Sequence, residues 1–294
     1  MDPRPTESRH PASPGLHSRR AGVVLSDLLA AQQVALRSLE PALPALAAVA
    51  EAGAQVLGRG GKFGYAGAGS SGLMALADAL ELPGTFGIPP DRVPVLFAGG
   101  TAALLHMTGA VEDDPALALA DLDASGLTSG DMIVILSASG TTPYALVLAK
   151  AAAARGIRVA GIANVPGSAL LQQVEIAVLL DTGPEVVSGS TRMGAGTAQK
   201  VALNMMSTLI GIKLGHVHDG YMVNVVADNA KLVDRAARIV ADIAGVPRSI
   251  AEAALTATGG AVKPAVLVAQ GHSPEAARDQ LTKAGGHLAL VPND

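Results

Sequence analysis

Residues 137–142 read Ser-Ala-Ser-Gly-Thr-Thr and follow the apolar run Met132-Ile133-Val134-Ile135-Leu136. A buried strand that opens into hydroxyls and glycine, with a helix pattern starting at Pro143, points backbone N–H groups and side-chain hydroxyls outward at the positive end of a helix dipole. That arrangement is a seat for a phosphate. A second loop of the same kind, Gly67-Ala68-Gly69-Ser70-Ser71-Gly72, follows the strand-like Lys62–Ala66. Two such seats in one chain predict a phosphorylated small molecule as the ligand, held by Gly69, Ser70, Ser71, Ser137, Ser139, Gly140 and Thr142. A third hydroxyl-rich loop, Ser188-Gly189-Ser190-Thr191-Arg192, comes after Gly183-Pro184-Glu185. It reads either as an ordinary helix cap or as further donors at the same sheet edge.

Two carboxylates stand where they could move protons. Glu81 closes the helix pattern that starts at the first glycine loop, just before Leu82-Pro83-Gly84. Position alone makes it a solvated end residue; beside a ligand, with its pKa raised, it would be a proton-transfer group. Glu112 is followed by Asp113-Asp114-Pro115, a cluster that also reads as a cap for the next turn. His216-Val217-His218 has no obvious third ligand, which favours cationic histidines near a helix end over a metal site. His106 reads as a hydrogen-bonded packing residue inside a helix.

The elements that carry these loops form a strand–loop–helix rhythm. Strands are expected near Phe63–Ala66, Val93–Phe97, Met132–Leu136, Val159–Ala163 and Ile176–Leu180. Helices are expected over Ser26–Leu39, Pro41–Leu57, Gly72–Glu81, Thr101–Glu112, Pro143–Ala154, Ser168–Gln173, Ala195–Leu214 and Ala227–Ile243. Continuous apolar strands alternating with helices indicate an α/β fold, a three-layer α/β/α sandwich around a five-stranded parallel sheet. Beyond Gly245-Val246-Pro247, three short patterns (Ser249–Ala257, Val262–Gln270, Pro274–Ala284) suggest a small C-terminal helical subdomain. The expected divisions are an N-terminal arm with helices over 1–57, an α/β domain carrying the phosphate-type loops over 58–245 and a three-helix unit over 246–294.

Composition narrows the function classes. The 294 residues are 49% apolar with a formal charge of −4, and only 2% are aromatic. Without a basic run or stacking aromatics, nucleic acid is not an expected partner. The absence of cysteine excludes disulfides, thiolate nucleophiles and cysteine-based zinc sites, and fits a cytoplasmic protein. The N-terminus is polar and Pro-rich, unlike a signal peptide, and no apolar stretch reaches the roughly 20 residues that span a bilayer, so no membrane partner is expected.

The three loops together resemble the sugar isomerase (SIS) domain, a flavodoxin-like phosphosugar-binding fold, with Ser137–Thr142 matching its Ser-x-Ser-Gly-x-Thr pattern. The likeness narrows to the N-acetylmuramic acid 6-phosphate etherases, with glucokinase regulatory protein more distant. The segments that carry it are Pro5–Ser13, Gly67–Gly72, Glu81–Gly87, Ala98–Gly100, Gly183–Lys200, Leu203–Thr208 and Met222–Val225. The most specific is Gly183–Lys200, GPEVVSGSTRMGAGTAQK. The resemblance implies a lyase that splits the D-lactyl ether of its substrate without metal or redox cofactor. It implies Glu81 as the principal acid/base and Glu112 as its partner. Glu185, Ser188, Ser190 and Thr191 join the ligand contacts, and the assembly is a homodimer built partly by the N-terminal arm and first helices. Three positions depart from the family pattern: Leu73 and Thr141 stand where arginine is usual, and Gly194 where lysine is usual. Each missing cation removes a charge-assisted contact worth about 1–3 kcal/mol. An aldose–ketose isomerase or a non-catalytic phosphosugar sensor is the alternative.

Overall fold

The computed structural model describes residues 5–225, 227 and 230–292. Met1–Arg4 of the expected arm and residues 228 and 229 of the expected Ala227–Ile243 helix lie outside the described residues. Helices α1 (Ala21–Leu36) and α2 (Leu39–Gly58) precede β1 (Phe63–Gly67), α3 (Gly69–Phe86), β2 (Val95–Phe97) and α4 (Gly100–Leu105). Then come α5 (Pro115–Ala124), β3 (Met132–Leu136), α6 (Pro143–Ala154), β4 (Arg158–Ala163), α7 (Ala169–Gln173), β5 (Ile176–Leu179) and α8 (Gly194–Lys213). A short hairpin follows, β6 (Val217–His218) with β7 (Tyr221–Met222), and last α9 (Ala230–Ala244), α10 (Arg248–Ala257), α11 (Val262–Ala269) and α12 (Pro274–Lys283).

Strands β1–β5 form one parallel sheet in the order β2-β1-β3-β4-β5. Every residue of β3 is buried, as an apolar strand covered on both faces requires. Ile133 and Ile135 point into a cluster with Leu122, Tyr144, Leu148 and Leu170 of the covering helices. The alternate residues Met132, Val134 and Leu136 face the other way and are equally buried.

The chain packs as two compact units rather than dividing near 57 and 245. One joins the residues up to Ala79 with Asp91–Ser207; the other joins Leu80–Pro90 with Thr208 onward. In the second unit α9 shares a core with α10–α12, through Ile239, Val240, Leu255, Val266 and Leu281.

Several local expectations are corrected. The helix expected to end at Glu81 continues through Pro83 to Phe86. A proline inside a helix costs about 3 kcal/mol, but the continuation buries Leu82 and Phe86, worth roughly 1.5–3 kcal/mol each. The helix expected over Thr101–Glu112 stops at Leu105, and Glu112 rides on a separate 3₁₀ turn, Gly109–Asp113. Leu104, Leu105 and Met107 are exposed, so no apolar stripe holds a longer helix together. His106 is accordingly exposed at the end of α4 rather than packed inside a helix. Helix α5 is additional, and Asp114 caps it by accepting from the Ala116 and Leu117 N–H groups at 2.9 and 3.2 Å. The β6–β7 hairpin turns on Asp219-Gly220, both at positive φ (47° and 79°), as a two-residue primed turn demands.

Candidate active site

The strand order reverses between β1 and β3, and such a switch point is where open α/β sheets bind ligands, beyond the carboxyl ends of the strands. Gly67 is paired with Leu136, so Ala68 and Ser137 leave the sheet edge side by side, about 5 Å apart. The two glycine–hydroxyl loops recognised in the sequence therefore flank the same crevice. Each opens a helix: α3 begins at Gly69 and α6 at Pro143.

The second loop is a cluster of hydroxyls. Ser137 and Thr142 share a hydrogen bond of 2.8 Å between their Oγ and Oγ1 atoms. The Gly140 N–H donates to Ser137 Oγ at 3.1 Å, and the N–H and hydroxyl of Thr141 both donate to Ser139 Oγ, at 3.2 and 3.1 Å. Thr142 is the N-cap residue of α6, yet its side chain makes no capping bond. The first turn of this 12-residue helix therefore has no side-chain cap from Thr142. Thr141, standing where the family usually has arginine, adds a neutral hydroxyl to the cluster.

Glu112 lies against the first loop. A Cβ built on Gly69 would sit 2.5 Å from Glu112 Oε1, and Gly69 has φ +54°. Only glycine satisfies both the backbone and the approach of the carboxylate. Burial, and secondarily the neighbouring Asp113 charge, raise the Glu112 pKa above the usual carboxylate range. Glu112 is therefore a partly desolvated carboxyl group beside the first glycine–hydroxyl loop. Ser70 is half-buried and Ser71 buried in the first turn of α3.

The third loop is engaged differently. Ser188 Oγ donates to the Glu7 carbonyl at 2.9 Å, and the Gly189 N–H to the Thr6 carbonyl at 3.2 Å, so the N-terminal segment lies along it. Ser190 and Thr191 are half-buried beside it. Glu185, expected on the ligand, is instead buried, and its two carboxylate oxygens accept the Gly194 and Ala195 N–H groups at 3.0 and 2.9 Å. It caps α8. Gly194 is also crowded: a Cβ there would lie 3.3 Å from both Ala35 and the Glu185 carboxylate. Glu81 is an exposed residue of α3 and belongs to the second unit.

Two buried polar residues escaped the sequence reading. Asp78 accepts from Tyr65 Oη, Asn204 Nδ2 and Ser207 Oγ at 2.8, 2.6 and 3.0 Å, tying α3 to β1 and α8. Asn164, fully buried at the end of β4, bonds to both flanking loops. A polar residue directly after an apolar strand is the local signal that Asn164 offered; Asp78, inside α3, offered none of that kind.

This architecture is that of a SIS-fold protein. A SIS domain family model matches residues 29–164. A phosphoheptose isomerase from Francisella tularensis superposes with a TM-score of 0.51 at 20% identity, over 65% of this chain and 97% of its own. The N-acetylmuramic acid 6-phosphate etherase of Deinococcus radiodurans is 43% identical over 291 residues, 99% of this chain and 95% of the relative. That of Serratia proteamaculans is 43% identical over 284 residues, 96% of each. The chain belongs to the N-acetylmuramic acid 6-phosphate etherase family.

Proposed function

We propose that the protein is itself an N-acetylmuramic acid 6-phosphate etherase, a carbon–oxygen lyase yielding N-acetylglucosamine 6-phosphate and D-lactate. The observation that carries the reading is the pairing of two phosphate-type loops on adjacent strands with a raised-pKa carboxyl group against one of them. Near-full-length kinship with the etherases supports it.

The 6-phosphate is held by Ser70, Ser71, Ser137, Ser139 and Thr142 on the loops that Gly69 and Gly140 shape, with Ser190 and Thr191 as further donors. Ring opening exposes an aldehyde at carbon 1, which acidifies the hydrogen on carbon 2. A glutamate removes that proton, the carbon 3–oxygen bond breaks, and the leaving lactate oxygen takes a proton. Water then adds at carbon 3 of the conjugated double bond and carbon 2 is reprotonated. Glu81 is the principal acid/base; Glu112 takes the proton of the attacking water. The upward shift that burial gives the Glu112 carboxyl group suits a part in such a proton shuttle. The working form is a homodimer.

The test is D-lactate release from N-acetylmuramic acid 6-phosphate by the purified protein, with Glu81→Gln and Glu112→Gln alongside. Losing one acid–base group costs about 10²–10⁴-fold. Near-normal release by Glu81→Gln would remove it from the mechanism. Carbon 2 deuterium uptake without lactate would mark an isomerase, and phosphosugar binding with neither signal a sensor.

A further inference from the structure

Asn164 joins the Ser137–Thr142 loop, the segment that leads into the third loop and α8, although it is too deeply buried to touch a ligand itself. Its N–H donates to the Ala138 carbonyl at 2.9 Å, between Ser137 and Ser139. Its side-chain nitrogen donates to the Leu180 carbonyl at 3.0 Å and to Thr182 Oγ1 at 3.4 Å, where the chain leaves β5 for the third loop. Its side-chain oxygen accepts from Gln199 Nε2 of α8 at 2.8 Å.

The chemistry leaves one orientation. Leu180 offers a carbonyl, so Asn164 must present its NH₂ there and its oxygen to Gln199. Gln199 must then turn its nitrogen inward, and its own buried oxygen is left without a partner among the described residues. The loop that Asn164 begins also closes on the seat from behind. The Leu170 N–H donates to the Gly140 carbonyl at 2.9 Å, and any Cβ on Gly140 would collide with the buried Ser168 hydroxyl. An asparagine amide supplies a donor and an acceptor at this reach whatever the pH, whereas an apolar side chain of the same length supplies neither.

We infer that Asn164 is a positioning residue that sets the spacing of the Ser137–Thr142 loop relative to the third loop and α8, so that both loops address one phosphosugar. This rests on the etherase reading. Asn164→Leu, of the same length, removes both the donor to the Leu180 carbonyl and the acceptor for Gln199 and lets the two loops part. The expected result is a rise of about tenfold in KM for N-acetylmuramic acid 6-phosphate, an equal weakening of inhibition by inorganic phosphate, and a smaller change in kcat. A residue that only stabilises the fold would lower the melting temperature and leave the KM of the folded protein alone. Folded Asn164→Leu with wild-type KM and wild-type phosphate inhibition overturns the inference. If that variant does not fold, Gln199→Met removes the same hydrogen bond more gently: a KM rise of about threefold supports the inference and an unchanged KM overturns it. Wild-type protein that neither releases lactate nor responds to phosphate overturns the etherase reading, and this inference with it.

Discussion

Glu112 shows how a residue acquires chemistry from distant neighbours. Its type and its Asp113-Asp114-Pro115 context suggested a cap, and a cap is indeed present, at Asp114. What could not be read was that a 3₁₀ turn folds Glu112 back onto Gly69 and desolvates it. With Glu112 working as the carboxylate that takes the water proton, kcat/KM falls as pH drops through its raised pKa. Asp113→Asn removes the neighbouring negative charge, lowers the Glu112 pKa and moves this acid limb to lower pH. A pH profile of kcat/KM for both proteins reads the shift, and an unmoved limb counts against Glu112 in that role. His216 carries the opposite kind of shift. Burial first, then the charge of Lys263, push its pKa down to about 4, against a hydrogen bond to the Phe86 backbone that raises it. The unfolded imidazole binds a proton near its ordinary value of about 6.5, so between these two values the unfolded state holds more protons. Stability present above pH 6.5 is lost as pH falls toward 4, by up to about 3 kcal/mol from this group. Urea unfolding of His216→Gln at pH 7 and pH 5 is expected to show a smaller difference than the wild type.

At the level of elements, the loops were legible because their signals are local. Glycine and hydroxyl residues after an apolar pentapeptide specify strand, turn and helix start within a few positions, and β3 and α6 fall at their expected bounds. The elements that departed from expectation depend on burial that no short window reveals: α3 past Pro83, and the break after α4. Glu185 belongs to this scale. Its carboxylate satisfies two otherwise unpaired N–H groups at the start of the 20-residue helix α8. Glu185→Ala leaves both donors buried and is expected to cost about 2 kcal/mol, measurable as a lower urea midpoint with an unchanged slope. Glu185→Gln keeps one acceptor and loses less.

For the molecule as a whole, α1 is the unusual helix. Of its 16 residues only Ala35 is buried, while Val23, Leu25, Leu29 and Val34 are exposed. Helices this apolar gain stability from being covered, in line with the homodimer proposed above. Leu25→Glu with Leu29→Glu is expected to convert the dimer to a monomer in light scattering during gel filtration. An unaltered mass would place the interface elsewhere. No helix among the described residues is long and apolar enough to cross a membrane.

Residue order alone was enough to specify the alternating α/β class, the parallel sheet, and both glycine–hydroxyl loops, because periodicity, caps and turns act over a few neighbouring positions. It could not set which loops meet. Strand order brings Gly67 beside Leu136, burial extends α3 through a proline, and packing turns Glu185 inward while seating Glu112 on Gly69. These outcomes depend on contacts between segments far apart along the chain, whose energies exist only once the sheet has formed.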